Sequence, residues 1–325
     1  MDNRKLFRSE FRLLSGEHVD LESNVLKLNN TLLKSLPPVT IDLKGVTMVD
    51  LSHNTIGEIH CDFGIFPDVE EMNLSSNIIE TIPPSIWKMK KLRDLSLSGN
   101  RIRTIPPEMG QLLELKNLTL GENQIEKLPD ELSGLKNLKS LELNNNNLKN
   151  IPDFVFELEN LQSLELGNNL IESIGDEIIE LQNLRYLSLT LNKVEHVSAN
   201  IRNLHRLEDL YLYGNKLDTF PLAPKSLRKL RVGMNYIDVI PQRVGELKEL
   251  TELWMGENRI LTLPDGISRL PNLEVLDIGD NLLVHLPDSL LRKRLKILVM
   301  KNNPRLEMTA EIMEWAERRV RSSFL

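Results

Sequence analysis

Two glutamates, Glu142 and Glu165, come closest in type and spacing to the residues of a reaction centre. Each stands in the same context, Ser-Leu-Glu-Leu, and the two contexts lie one copy of a repeated sequence apart. If the two contexts form neighbouring strands, the carboxylates lie about 5 Å apart, where a pair can hold a cation or share acid–base work. An open sheet face would supply neither a pocket nor further ligands. We therefore expect a solvated acidic patch and no metal.

The remaining reactive side chains form no recognisable catalytic motif. The six histidines are scattered along the chain. The sequence contains no His-Glu-x-x-His zinc motif, no phosphate-binding glycine-rich loop and no nucleophile elbow. Cys61, the single cysteine, is in no catalytic context, and its position favours a buried thiol. We expect a protein that is not an enzyme and that holds no cofactor.

A second group of side chains has the composition of a protein-binding surface. It contains three of the four tyrosines, one of the three tryptophans and two basic residues. Its members are Tyr186, Tyr211, Tyr213, Lys229, Arg231 and Trp254. Tyrosine, tryptophan and arginine carry most of the energy of protein interfaces, because they bury a large area for few lost rotamers. Either a partner binds this patch, or the rings only stack along the sheet.

A repeated sequence positions both groups. Residues 92–106, which read L-R-D-L-S-L-S-G-N-R-I-R-T-I-P, define a template that recurs along most of the chain. Its asparagine returns at one constant interval, through Asn54, Asn77, Asn100, Asn123, Asn146, Asn169, Asn192 and Asn215. Asn235 then comes three positions early and Asn303 one position early, whereas the copies between them keep the interval. Thr31 precedes Asn54 by the same interval, so we count thirteen copies.

Each copy predicts one short strand and one short turn. The opening L-x-x-L-x-L has the period of a strand, and identical strands one repeat apart lie parallel and in register. The leucines then point into the core. The residues between them form an exposed row, in which Arg231 falls between Tyr211 and Trp254 and is placed to stack on both rings. The asparagine amide is suited to bond the backbone of its own turn and of the next repeat.

The second half of each copy opens with proline and spaces its apolar residues by three, which predicts a short helical or 3₁₀ turn. His60, Gly175 and Ser198 replace the proline in three copies, and this weakens the prediction there. Between Asn215 and Asn235 three residues are missing and L-A-P-K-S replaces the usual turn. The shortening is either a tolerated deletion or a means of shaping the neighbouring aromatic patch.

The template resembles that of leucine-rich repeat proteins. Its 23-residue form, L-x-x-L-x-L-x-x-N-x-I-x-x-L-P-x-x-I-x-x-L, is similar to the intracellular Ras-related group, which includes Ras suppressor and plant Ras-group-related proteins. The resemblance implies an α/β leucine-rich repeat solenoid, a curved horseshoe with parallel strands on its concave face, short helical or 3₁₀ turns on its convex face, and helical caps. It also implies that the concave face binds a partner protein from small GTPase, kinase or phosphatase complexes. The basic-Val-x-Phe motif of phosphatase-binding scaffolds is absent.

The ends of the chain lack the template and are expected to cap the array. We expect an N-terminal cap at residues 1–22, thirteen leucine-rich repeats at residues 23–306 and a C-terminal helical cap at residues 307–325. Phe7, Phe11 and Leu14 have the spacing of one helix face. Thr309 is suited to cap the C-terminal helix, and Trp315 to pack on the last repeat.

Bulk composition narrows the partners and the compartment. The 40 basic and 47 acidic residues give a net charge of −7, so we expect neither nucleic acid nor an anionic membrane surface as a partner. No apolar run reaches the roughly 18 residues of a membrane-spanning helix, and a single cysteine favours a reducing compartment. We expect a cytoplasmic protein. The final residues, from Ser323 to Leu325, weakly match the pattern of a PDZ ligand.

Together these features predict a protein–protein interaction module, a scaffold or adaptor in intracellular signalling. Two alternatives stay open at this level. One is a structural or self-associating protein that uses the same face. The other is the substrate-recognition subunit of a ligase or phosphatase complex.

Overall fold

The computed structural model describes residues 24–36 and 43–319. The chain divides into two compact units, Met1–Glu165 and Leu166–Leu325, which are described in turn. The predicted N-terminal cap at residues 1–22 and the predicted PDZ ligand at residues 323–325 lie outside the described residues.

The first unit is built on a parallel sheet of three-residue strands. Neighbouring strands are one repeat apart and pair in register, so that Glu142 lies beside Glu165. In chain order these strands are β1 (Val25–Lys27), β3 (Met48–Asp50), β5 (Glu71–Asn73), β6 (Asp94–Ser96), β7 (Asn117–Thr119), β8 (Ser140–Glu142) and β9 (Ser163–Glu165). A separate parallel pair is formed by β2 (Ser35–Leu36) and β4 (Glu58–Ile59).

The second unit has the same construction. Its parallel strands are β11 (Tyr186–Ser188), β13 (Asp209–Tyr211), β14 (Lys229–Arg231), β15 (Glu252–Trp254), β16 (Val275–Asp277) and β17 (Ile297–Val299). A separate pair is formed by β10 (Ser173–Ile174) and β12 (His196–Val197). The shortened repeat leaves the pairing intact, because Asp209 lies beside Lys229 and Tyr211 beside Arg231.

The turn segments of most copies form 3₁₀ helices, as the sequence predicts, including the three copies in which His60, Gly175 or Ser198 replaces the proline. In the first unit they are η1 (Phe63–Ile65), η2 (Pro84–Lys88), η3 (Pro107–Gln111), η4 (Asp130–Gly134) and η5 (Asp153–Glu157). In the second unit they are η6 (Asp176–Glu180), η7 (Ala199–Asn203), η8 (Gln242–Glu246), η9 (Asp265–Arg269) and η10 (Leu290–Arg292). They lie on the side of each unit away from the exposed strand face, which we call the turn side.

The turn survives where proline is replaced. In the copy that contains Ser198, the hydroxyl of this residue accepts a hydrogen bond from the N–H of Asn200 and caps η7. In the copy that contains His60, the carboxylate of Asp62 accepts from the N–H of Gly64 and caps η1. A side-chain cap supplies at these two turns the start signal that proline supplies in most other copies, whereas η6 begins after Gly175 without a side-chain cap.

Asparagine side chains link successive turns through the core. Asn100, for example, is buried, and its Nδ2 donates to the carbonyl oxygens of Leu97 at 2.9 Å and Leu74 at 3.0 Å, while its Oδ1 accepts from the N–H of Ile79 at 3.0 Å. Leu74 and Ile79 belong to the preceding repeat. The predicted amide ladder and its bonds to the asparagine's own turn are present, but the bonds between repeats run to the preceding repeat and not to the next one. Thr31 takes part in the ladder at the first copy, where its hydroxyl donates to Leu28 and its N–H to Asn54.

The residue before each ladder position has a left-handed backbone. Glycine provides it at Gly99 and Gly214, with φ of 67° and 69°. Elsewhere residues with a Cβ adopt it, among them Leu191 and Met234, with φ of 56° and 53°. This conformation turns the chain out of the strand so that the following asparagine can point inward.

The second unit ends in the helix α1 (Ala310–Arg319). The hydroxyl of Thr309 accepts from the N–H of Ile312 at 3.3 Å, and the indole N–H of Trp315 donates to the carbonyl of Lys293 at 3.1 Å. Trp315 is buried against the turn that precedes it. Among residues 24–36 and 43–319, no helix has the length and apolar character needed to cross a membrane.

Candidate protein-binding site

Three neighbouring strands of the second unit place an arginine between two aromatic rings. Tyr211 on β13, Arg231 on β14 and Trp254 on β15 are in register. The guanidinium carbon of Arg231 is 4.6 Å from the ring centroid of Tyr211 and 5.5 Å from that of Trp254, which are cation–π distances. Tyr186, on β11, is in register with Asp209 and makes an edge-on contact with the ring of Tyr211 at 5.3 Å. The stacking that the sequence predicts is therefore present.

Carboxylates surround Arg231 and also Lys229, which is in register with Asp209 and Glu252. Lys229 lies 3.9 Å from both Asp209 and Glu252, and Arg231 lies 3.8 Å from Glu252. Glu252 also accepts the indole N–H of Trp254 at 3.1 Å. These ion pairs are long and partly exposed, so they orient the side chains more than they stabilise the fold. In the described part of the chain, the buried Nε of Arg231 has no hydrogen-bond partner.

The local electrostatics keep the phenol of Tyr211 protonated. Burial raises its pKa above the ordinary value, and the charge of nearby Asp209 raises it further, against the opposing effect of Arg231. Burial likewise raises the pKa of Asp209, with Lys229 opposing. Tyr211 is therefore a neutral hydrogen-bond donor at physiological pH.

A cavity of about 310 Å³ opens beside the stacked residues. Its lining consists of Thr190, Tyr211, Tyr213, Arg231, Gly233, Trp254, Gly256, Glu257 and Asp277. The phenol of Tyr213 donates to Glu257 at 3.1 Å, which fixes the outer wall. A Cβ at Gly233 would lie 3.1 Å from the ring of Tyr213, and one at Gly256 would lie 2.8 Å from Asp277. The two glycines therefore leave room for the side chains of Tyr213 and Asp277, which line the cavity.

Four of the six residues predicted for the patch line this cavity, and the other two lie beside it. Tyr211, Tyr213, Arg231 and Trp254 form its walls. Tyr186 contacts the ring of Tyr211, and Lys229 lies near Glu252, which in turn contacts Arg231 and Trp254. The glycines and the two acidic lining residues, Glu257 and Asp277, were not among the predicted site residues. The sequence does indicate this space, because Gly233 and Gly256 occupy the same repeat position as Tyr213 and have no side chain to fill it.

The acidic pair lies in the first unit. Glu142 and Glu165 are neighbours on β8 and β9. The pKa of Glu142 is raised, first by burial and then by the charge of Glu165. Within residues 24–36 and 43–319, no group of three or more His, Cys, Asp or Glu side chains is arranged to hold a metal ion.

Comparisons with known proteins agree with this architecture. A family model described as Leucine rich repeat matches residues 67–217 and 225–283 in six segments. No curated protein matches the chain in sequence.

Solved structures with a similar fold also include leucine-rich repeat proteins. A leucine-rich repeat protein from Leptospira interrogans is 26% identical over 90% of this chain and 93% of its own, with a TM-score of 0.69. The plant peptide hormone receptor RGFR1 is 25% identical over 87% of this chain, with a TM-score of 0.72, and the alignment spans 50% of the receptor chain. An internalin from Listeria monocytogenes is 20% identical over 98% of this chain and 89% of its own, with a TM-score of 0.74, and at that identity it shows the fold alone.

The predicted leucine-rich repeat fold is thus confirmed, with parallel strands on one side of each unit and 3₁₀ turns on the other. Because the family model covers more than half of the sequence, the chain belongs to the leucine-rich repeat family.

Proposed function

We propose that this protein binds a partner protein on the exposed strand face of its second unit. The observation that carries the proposal is the guanidinium of Arg231 held between Tyr211 and Trp254 beside an open cavity. These are the residue types that dominate protein interfaces, and here they share one face. The binding role for Tyr186, Tyr213 and Lys229 is part of the same proposal.

The geometry favours binding over a purely structural role. The Arg231 side chain is 43% exposed, and its contact with Glu252 at 3.8 Å is too long and too wet to contribute much stability. The rings on both sides nevertheless restrict its rotamers before any partner arrives. A partner that covers the patch therefore loses little side-chain entropy in ordering it, and this raises affinity.

A peptide or protein ligand is consistent with one of the structural relatives. The structure of RGFR1 is that of a plant peptide hormone receptor in complex with RGF2. For this chain we propose a scaffold or adaptor role in intracellular signalling, within the Ras-related class of repeats and with components of small GTPase, kinase or phosphatase complexes as partners. The constant repeat period and the single buried cysteine support this assignment. Catalysis is not part of the proposed role.

The test is an affinity purification that compares matched variants. Tyr211→Ala/Trp254→Ala removes both rings that hold Arg231. The control is Trp87→Ala/Tyr236→Ala, which also removes one tryptophan and one tyrosine that contact basic side chains, Lys90 and Arg259, but lie off the strand face. Both variants should give the circular dichroism spectrum of the wild type.

We expect at least one partner, identified by mass spectrometry, to be retained by the wild type and the control and lost from the patch variant. Affinity for that partner should fall by about 2 kcal/mol for each true hot-spot residue. Identical partners in all three purifications would reject this site. Sedimentation at several concentrations extends the test: if the mass rises with concentration and only the patch variant loses this behaviour, the partner is a second copy of the chain.

A further inference from the structure

The shortened repeat changes the turn side of the second unit. Between η7 and η8 the chain passes through one whole repeat that has no 3₁₀ helix. Residues 218–224 run there without regular structure, and the side chain of Phe220 is buried beneath them. Because one helix is left out, η7 and η8 are separated by a gap in the row of turns.

The gap is a cavity of about 440 Å³. Phe220, Val244 and Leu247 form an apolar floor, and each of them is at most 6% exposed. Leu222 lines the same space and is half-buried. The cavity is large enough to accept an apolar side chain from another protein.

The rim of this cavity is basic. Arg202 on η7, Lys225 in the shortened turn and Arg243 on η8 are all exposed around it, together with His205. Glu246 is the one carboxylate in the lining of the cavity. The rim thus has a local positive charge in a chain whose net charge is −7.

The rim cations differ from some other basic residues of the turn side, which are paired with carboxylates. Lys88 pairs with Asp62, and Lys136 lies 3.5 Å from Glu157. Within the described ranges, by contrast, Arg202, Lys225 and Arg243 have no carboxylate within ion-pair distance. Their charges are left for a ligand to satisfy.

We propose that this turn-side cavity binds an acidic segment of a second partner protein. An apolar side chain of that segment enters the gap and covers Phe220, Val244 and Leu247. Aspartate or glutamate residues on either side of it meet the cationic rim. The apolar floor argues against nucleic acid, since it offers no polar groups to base edges, and the overall negative charge of the chain repels a long polyanion.

This site goes beyond the function proposed above, because it uses the opposite side of the same repeats. A partner on the strand face would leave the turn-side cavity free. One short stretch of the second unit would then hold two proteins at once, which is the minimum requirement for a scaffold.

The test is a selection of random twelve-residue peptides displayed on phage against the full-length protein. The rim variant is Arg202→Glu/Lys225→Glu/Arg243→Glu. Its control, Lys127→Glu/Lys149→Glu/Lys193→Glu, changes the net charge equally at exposed lysines outside the cavity. We expect the enriched peptides to combine acidic residues with a leucine or phenylalanine. The rim variant should bind the synthetic peptides about tenfold or more weakly, whereas the control should not.

The strand-face variant Tyr211→Ala/Trp254→Ala should retain these peptides, so the two proposals fail separately. Enriched peptides without acidic residues would overturn the proposal, as would acidic peptides that bind the rim variant and its control equally. Poly(U) RNA serves as a further probe. If it binds the wild type and not the rim variant while acidic peptides do not bind, the cavity belongs to a nucleic acid and the proposal is wrong.

Discussion

Removing a single amide from the ladder should destabilise the first unit by an amount that the hydrogen bonds predict. Asn123 is buried, and its Nδ2 donates to the carbonyl oxygens of Leu97 and Leu120 at 3.0 Å and of Gly121 at 3.1 Å. Its Oδ1 accepts from the N–H of Ile102 at 3.0 Å. Asn123→Ala removes all four bonds and leaves a small space in the core.

The four bonds are not equal. Each of the three carbonyl oxygens keeps a second donor, which comes from the side chains of Asn100 and Asn146 and from the backbone of Gly99. The N–H of Ile102 loses the acceptor that Asn123 provided and stays buried. A buried donor without a partner costs about 1–3 kcal/mol, and the lost bonds add about 1 kcal/mol. We therefore expect the free energy of unfolding to fall by about 3 kcal/mol.

Urea unfolding, followed by circular dichroism and by tryptophan fluorescence, to which Trp87 contributes from the first unit, measures this loss. Asn137→Ala is the matched control. Asn137 also donates to a carbonyl of the preceding repeat, that of Leu113 at 2.9 Å, but it is exposed and water can replace it. We expect the control to change the free energy of unfolding by less than about 0.5 kcal/mol. If Asn123→Ala costs no more than the control, water satisfies the ladder and the reasoning fails.

Three further predictions concern the first unit. Gly99→Ala should lower the free energy of unfolding by about 1 kcal/mol, because φ is 67° there and a residue with a Cβ is strained in this conformation. The nearest atom to the new Cβ, in Ser76, is 3.4 Å away, so no steric clash adds to this cost. An unfolding curve equal to that of the wild type would contradict the prediction. Burial raises the pKa of Cys61 to about 12, so the native thiol should not react with a disulfide reagent at about pH 8 and should react fully in urea; labelling of the native protein would show the thiol to be accessible. The folded pKa of Glu142 is raised by burial and by Glu165, so ionisation opposes folding and stability is lost as the pH rises above the unfolded pKa. Glu142→Gln should therefore be more stable than the wild type at about pH 7, by less than about 1 kcal/mol, and equally stable below about pH 4. A stability difference that grows toward low pH would contradict the prediction.

The arrangement of residues on the strand face could be predicted closely, because it follows from the number of residues in each repeat. Strands one repeat apart pair in register, so the positions of Tyr211, Arg231 and Trp254 in the sequence determine their order on the sheet. The burial of the strand leucines follows from the same alternation. These features depend on the period alone.

The two cavities could not be predicted in this way. The strand-face cavity depends on the absence of side chains at Gly233 and Gly256 and on the rotamer of Tyr213, which Glu257 holds. The turn-side cavity depends on which part of the shortened repeat is lost, and the missing residues remove the 3₁₀ helix instead of the strand. Counting residues shows that the repeat between Asn215 and Asn235 is three residues short. Only the side-chain packing shows that the resulting cavity opens on the turn side.

The ladder gives the two ends of a unit unequal roles. Because each asparagine reaches back, the turn of one repeat is completed by a side chain from the repeat that follows it, as Ile79 is by Asn100. Shortening a unit from its C-terminal side leaves a backbone N–H of the new last repeat without its ladder acceptor. Shortening it from the N-terminal side leaves the ladder amides bonded to their own turn, and the backbone N–H groups that lose a partner there are those that donate to the preceding repeat, as Arg101 does to the carbonyl of Ile79. During synthesis the same asymmetry delays each turn until its successor has left the ribosome. Folding of the array should therefore trail translation by the length of one repeat.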